Sequence, residues 1–151
     1  MDSPVEILLV EDNEDDAELT LRSLRKERLG NRIEHVRDGE QALDFIFCRG
    51  AYAQRTPAAL RLVLLDLKMP KVDGMEVLGQ VKADPRTRSI PVVVMTSSRE
   101  EPDIVRCYAL GANSYIQKPV DFEQFRAAVK SLGLYWLVVN QSPPVAAKPR
   151  A

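Results

Sequence analysis

The chain has 151 residues, 45% of them hydrophobic and 28% charged, with a formal net charge of −1. That length suits one domain whose core needs no staples, and near-neutrality argues against a nucleic-acid or membrane surface as the principal partner. The stretch Met1-Asp2-Ser3-Pro4-Val5-Glu6 has neither a basic region nor a long apolar run, and no segment approaches a membrane span, so a cytoplasmic location is expected.

Glu6-Ile7-Leu8-Leu9-Val10 is continuously apolar after its first residue, the pattern of a strand covered on both faces. It ends in Glu11-Asp12-Asn13. Asn13 is placed to cap a helix whose apolar positions Ala17, Leu21 and Leu24 recur at helical spacing. Asp15 and Asp16 complement the dipole of that helix, and Gly30-Asn31 stops it. Residues 32–36 form a shorter, more polar strand suited to a sheet edge. Asp38-Gly39 makes a turn, and residues 40–49 a helix with Leu43, Ile46 and Phe47 inward. Residues 50–59 are a loop, longer than most such connections.

Leu62-Val63-Leu64-Leu65-Asp66-Leu67-Lys68-Met69-Pro70 is the stretch around which the rest is organised. Four apolar residues without alternation are followed by a carboxylate, and Pro70 ends the run. An unpaired acid inside a buried strand loses several kcal/mol of solvation. At the carboxyl end of the strand it instead reaches the crevice where open α/β sheets bind ligands. Taken alone, such an acid could equally begin a turn.

Asp73-Gly74 shapes the following loop, and the next helix turns Val77, Leu78 and Val81 inward until Asp84-Pro85 closes it. Residues 90–96 are a fourth buried strand. Ser98 with Glu101 forms a capping box, and Pro102 suits a first helical turn. That helix carries Val105, Tyr108 and Ala109 and ends at Gly111. Ser114 to Gln117 is a fifth strand, followed by Lys118-Pro119. Asp121 with Gln124 caps a last helix packed through Phe122, Phe125, Ala128, Val129 and Leu132. Cys48 and Cys107 lack metal-ligand spacing and are expected to be reduced, partly buried thiols.

Strand and helix alternate five times. Right-handed crossovers then give a flavodoxin-like (βα)5 parallel sheet, strand order 2-1-3-4-5, with helices on both faces. No linker precedes Gly133, so residues 1–133 are expected to be one domain and 134–151 a C-terminal extension. This order makes Asp12 and Asp66 neighbours and brings Thr96 and Lys118 from the other side. Glu11, Asp12 and Asp66 would place up to three negative charges in one pocket. Two of them about 4 Å apart repel by roughly 4 kcal/mol at an effective dielectric near 20. Hard oxygen donors with open positions suit Mg²⁺. Asp66 would then be a nucleophile that accepts a phosphoryl group, with the Lys118 amine and the Thr96 hydroxyl on its oxygens.

Glu11-Asp12, Asp66 with Met69-Pro70 and Asp73-Gly74, Thr96, and Lys118-Pro119 together resemble the signature set of receiver domains of two-component response regulators. The likeness covers roughly residues 5–132. It implies Asp66 as phosphoacceptor and Mg²⁺ held by Asp12, Asp66 and the backbone carbonyl of Lys68, with Glu11 acting through a metal water. It implies Thr96 and Lys118 as readers of the phosphoryl group, a cis Lys118-Pro119 bond, and Tyr115 as a switch aromatic moving with Thr96. The alternative for Tyr115 is a tyrosine that simply occupies an edge strand. The donor would be a phosphohistidine on a sensor histidine kinase; His35, the one histidine, lies on an expected edge strand and is no donor. Lys68 and Ser98 are placed to tune how water reaches the acyl phosphate, although Lys68 could also point into solvent.

Leu134-Tyr135-Trp136-Leu137-Val138-Val139 follows the last helix, then a Pro/Ala/Lys segment. Tyr135, Trp136 and Leu137 are candidates for an anchoring arm, or for a segment folded back on its own helix. With the 50–59 loop and the Thr96-Ser97-Ser98-Arg99-Glu100-Glu101 run, they resemble single-domain regulators paired with bacterial phytochrome kinases. That likeness implies a homodimer. No room remains for a DNA-binding output domain, so signalling is expected to pass through protein contacts. Two rival classes differ in kind. An aspartyl-phosphate phosphatase of the haloacid-dehalogenase type wants a second acid where Lys68 stands, and a receiver-like scaffold would act without phosphorylation.

Overall fold

The computed structural model describes residues 5–26, 32–57, 60–67, 69, 72–96 and 101–132, the side chains of residues 26, 96 and 101–103 excepted. Five strands, β1 (Ile7–Val10), β2 (Ile33–Val36), β3 (Leu62–Asp66), β4 (Val92–Thr96) and β5 (Ser114–Gln117), pair in parallel in the order β2-β1-β3-β4-β5. Among the described residues five α-helices connect or follow them: α1 (Glu14–Lys26), α2 (Gly39–Ile46), α3 (Gly74–Ala83), α4 (Glu101–Ala109) and α5 (Phe122–Ser131). The expected (βα)5 order and strand sequence are those observed. No helix among the described residues is long and apolar enough to cross a membrane.

The unbroken apolar runs have a simple cause. Along β1, β3 and β4, alternate residues enter two separate cores. Leu8, Val10, Val63, Leu65 and Val94 pack with α2, α3 and Cys107 of α4. Ile7, Leu9, Leu62, Leu64 and Met95 pack with Ala17 and Leu24 of α1 and Phe125 and Val129 of α5. Each helix is started by a side chain that accepts from an otherwise unpaired amide where the sequence offers one. Asp38 Oδ1 accepts from Gln41 N, Asp73 Oδ1 from Glu76 N, and Asp121 Oδ1 from Gln124 N. The Ser98–Glu101 box lies outside the described residues.

Two expectations need correction. Helix α2 stops at Ile46 rather than Arg49, because Cys48 and Gly50 adopt positive φ and turn the chain away. The loop after it folds back: Arg55 donates from Nε to Phe45 O at 2.8 Å and from Nη2 to Ile46 O at 3.3 Å. Its guanidinium lies over the Phe45 ring, 4.3 Å from the centroid, so an arginine in the loop caps the helix. Helix α4 faces the sheet through Cys107, which is wholly buried rather than partly so, whereas Val105 and Tyr108 are 61% and 49% exposed. Two apolar stripes overlap on that helix at nearly equal spacing, and the sequence does not rank them.

Candidate functional site

The parallel register fixes what meets at the carboxyl edge of the sheet. Val10 pairs with Leu65 and Asp66 with Met95, so Glu11 and Asp12, the residues after β1, stand beside the last residue of β3. Thr96 pairs with Gln117, so Lys118 emerges next to the end of β4. The Lys118–Pro119 bond is cis. The loop after Asp66 is drawn tightly against the sheet: Gly74 N donates to Leu67 O at 2.8 Å. A Cβ at position 74 would lie 2.3 Å from Asp66 O and 2.6 Å from Leu67 Cα. Only glycine lets the start of α3 approach the strand end this closely.

Carboxylate oxygens of Glu11, Asp12 and Asp66 lie within 4.8 Å of one another. Glu11 and Asp66 are buried, at 1% and 4% exposure, while Asp12 faces solvent. Lys118 Nζ donates to Glu11 Oε1 at 2.8 Å and to Asp16 Oδ2 at 3.0 Å, and stands 3.5 Å from Asp66 Oδ1. Glu11 is further held by Asn13 N, which donates to Oε2 at 3.2 Å. Burial pushes Asp66 up to about 7, with the Glu11 charge and, more weakly, Asp12 adding to the rise and Lys118 opposing it. Burial alone would lower Lys118, but its bonds to Glu11 and Asp16 and the nearby Asp66 charge hold it well above its usual range.

Glu11, Asp12, Asp66 and Lys118 are therefore brought together as expected. Thr96 ends β4 on the same edge, and its side chain is not among those described. Lys68, Ser98, Tyr135, Trp136 and Leu137 lie outside the described residues. Tyr115 is half-buried on the edge strand β5 and packs against the core that includes Cys107. His35, on the opposite edge strand, has Nε2 2.8 Å from Glu11 O; since a carbonyl only accepts, Nε2 carries the proton. Asp16 departs from expectation. It does not serve only the helix dipole; it joins the lysine.

The donor set fits a hard divalent cation. Each acid of the cluster offers oxygen; three carboxylates contact the one ammonium and Asp12 is open to water, which leaves an excess of negative charge. Soft-metal ligands are absent from that group.

Comparison with known proteins gives a consistent picture. Residues 7–130 match the response regulator receiver domain family. The probable methanogenesis regulatory protein FilR2 of Methanothrix harundinacea is 44% identical over 142 residues, 94% of this chain and 90% of that protein. Response regulator Rcp1 of Synechocystis is 37% identical over 134 residues, 89% of this chain and 90% of Rcp1. The Mn²⁺-bound form of Rcp1 superposes with a TM-score of 0.74 at 35% identity, covering 93% of this chain and 99% of that one. The bacteriophytochrome response regulator AtBRR superposes with a TM-score of 0.82 at 50% identity, covering 93% of this chain and 100% of that one.

Proposed function

The chain belongs to the response regulator receiver domain family, and we propose that it accepts a phosphoryl group on Asp66 from a phosphohistidine of a sensor kinase. The observation that carries this reading is the meeting of Lys118 with the buried Glu11 and Asp66 carboxylates. A fixed cation beside a buried acid has a purpose when negative charge must arrive there and be stabilised. Asp12, Asp66 and the backbone carbonyl of Lys68, with Glu11 through a water, would hold Mg²⁺. When bound, that ion supplies charge neutralisation and keeps the acids deprotonated.

The chain's own residues then have defined tasks. An Asp66 carboxylate oxygen forms the new bond to phosphorus as the bond from phosphorus to the donor imidazole nitrogen breaks. The Lys118 ammonium pairs with the incoming phosphoryl oxygens, and the Thr96 hydroxyl donates to one of them. Thr96 and Tyr115 form the switch that carries the change to the surface of α4, β5 and α5. The protein is a phosphoacceptor assisting its own phosphorylation and dephosphorylation, rather than an enzyme acting on a separate substrate. It works in the cytoplasm and signals by protein contacts. The likeness to AtBRR and Rcp1 favours a phytochrome kinase as donor and a homodimer as the assembly, with Tyr135, Trp136 and Leu137 as its arm.

Incubation with Mg²⁺ and acetyl phosphate, followed by intact mass, tests the reading. One phosphoryl adduct that decays with time, and is missing from Asp66→Asn, is the expected result. An unlabelled wild type, or a labelled variant, overturns it.

A further inference from the structure

The lysine is engaged by one acid more than phosphoryl transfer calls for. An ammonium has three protons, and Lys118 Nζ has three carboxylate neighbours: Glu11 Oε1 at 2.8 Å, Asp16 Oδ2 at 3.0 Å and Asp66 Oδ1 at 3.5 Å. Glu11 and Asp16 each take a hydrogen bond from the ammonium, and Asp66 stands at ion-pair distance. Pairing Lys118 with more than one phosphoryl oxygen therefore requires a contact besides that to Asp66 to be given up.

The three differ in what release entails. Glu11 is 1% exposed, and leaving that carboxylate unpaired in the interior is costly. Asp66 bears the new group, so its contact passes to the phosphoryl oxygens. The Asp16 side chain is 40% exposed and can exchange the ammonium for water. It also sits in the first turn of α1, where the helix amino terminus favours a free carboxylate. Its backbone is pinned independently, Asp16 N donating to Asn13 Oδ1 at 2.8 Å. Release therefore moves a side chain and not the helix.

We propose that Asp16 is a positioning residue: it holds Lys118 in a resting arrangement and competes with the phosphoryl oxygens for the ammonium, setting how tightly the site grips the group. This rests on the reading of Asp66 as phosphoacceptor. An aspartate serving only the helix dipole would affect stability when replaced and leave anion affinity alone.

The test uses the full chain with Mg²⁺ and fluoroberyllate, a phosphoryl-like anion that binds carboxylates without transfer, titrated by calorimetry. Wild type is expected to bind. Asp16→Asn, freed of the competitor, is expected to bind about fivefold more tightly, equivalent to about 1 kcal/mol for a partly exposed ion pair. In a crystal structure of the wild-type complex, Lys118 Nζ should keep Glu11 and have left Asp16. That second measurement holds whether or not the variant folds. Unchanged or weaker binding by Asp16→Asn, or a complex in which the Asp16 pair persists, overturns the inference while leaving Asp66 in its role. A wild type that binds no fluoroberyllate overturns both.

Discussion

Replacing Asp66 by asparagine should make the protein more stable once divalent ions are stripped by a chelator. Asp66 is 4% exposed, and burial and the Glu11 charge raise it to about 7 from an ordinary value of 3.8. A raised acid binds its proton more tightly in the folded state than in the unfolded chain. Folding stability therefore falls as pH rises from about 4 to about 7, and stays low above that. The span is about 3 pH units at about 1.4 kcal/mol each. Coulomb's law gives a similar scale: charges at the 4.8 Å limit of the cluster repel by about 3.5 kcal/mol per pair at an effective dielectric of 20. Asparagine keeps the shape and removes the charge. The variant should gain about 2 to 4 kcal/mol at pH 8 after allowance for partial solvent screening, or roughly 10 °C in Tm. Near pH 4 the two proteins should converge. Urea melts of both at pH 4, 6 and 8 in EDTA would show this. A variant less stable than wild type at pH 8, or a difference indifferent to pH, means that the carboxylates do not crowd one another as described.

Gly74→Ala should destabilise the fold by about 2 kcal/mol, since its Cβ would overlap backbone atoms of Asp66 and Leu67; urea melts at pH 7 would read it, and a neutral effect would mean that the turn is slack. Thr87→Val should cost about 1 to 2 kcal/mol in the same assay, because the buried hydroxyl that donates to Val81 O at 2.7 Å is lost. The Arg86 hydrogen bonds hold the Asp84 carboxyl down at about 2. Its stabilising effect is present above the ordinary value of 3.8 and lost as pH falls through about 2. A carbon-13 titration of Asp84 should show that midpoint, moving upward in Arg86→Ala; an unshifted wild-type midpoint would contradict the pairing. Light scattering on the full chain should report the proposed dimer and on a chain ending at Gly133 its loss; an unchanged dimer would exclude residues 134–151 as its cause.

The sheet was legible because β1, β3 and β4 serve two cores at once, so that Ile7 to Val10 and Leu62 to Leu65 are apolar without alternation. The site was legible for the opposite reason: Glu11 and Asp66 are charges set where such runs end, and only a crevice makes them affordable. What stayed hidden depends on distant pairing or on equal local choices. Arg55 looks like any loop arginine until it reaches back to the end of α2. Val105 and Cys107 head overlapping stripes of α4, and packing alone selects Cys107. Asp16 reads as one of three successive acids in a first helical turn, and its partner lies 102 residues away. A signal did exist: Asp16 is four residues before Thr20 and eight before Leu24, both buried, which places it on the inward side of α1.

The most direct measurement is to trap the acyl phosphate where it forms. The protein is treated with Mg²⁺ and acetyl phosphate, reduced with borohydride, and mapped by peptide mass. Hydride converts a phosphorylated aspartate to homoserine, so that residue should appear at position 66 and nowhere else. Homoserine at Asp12 or another acid, or an unmodified chain, would contradict the assignment of Asp66 as the group that takes the phosphoryl.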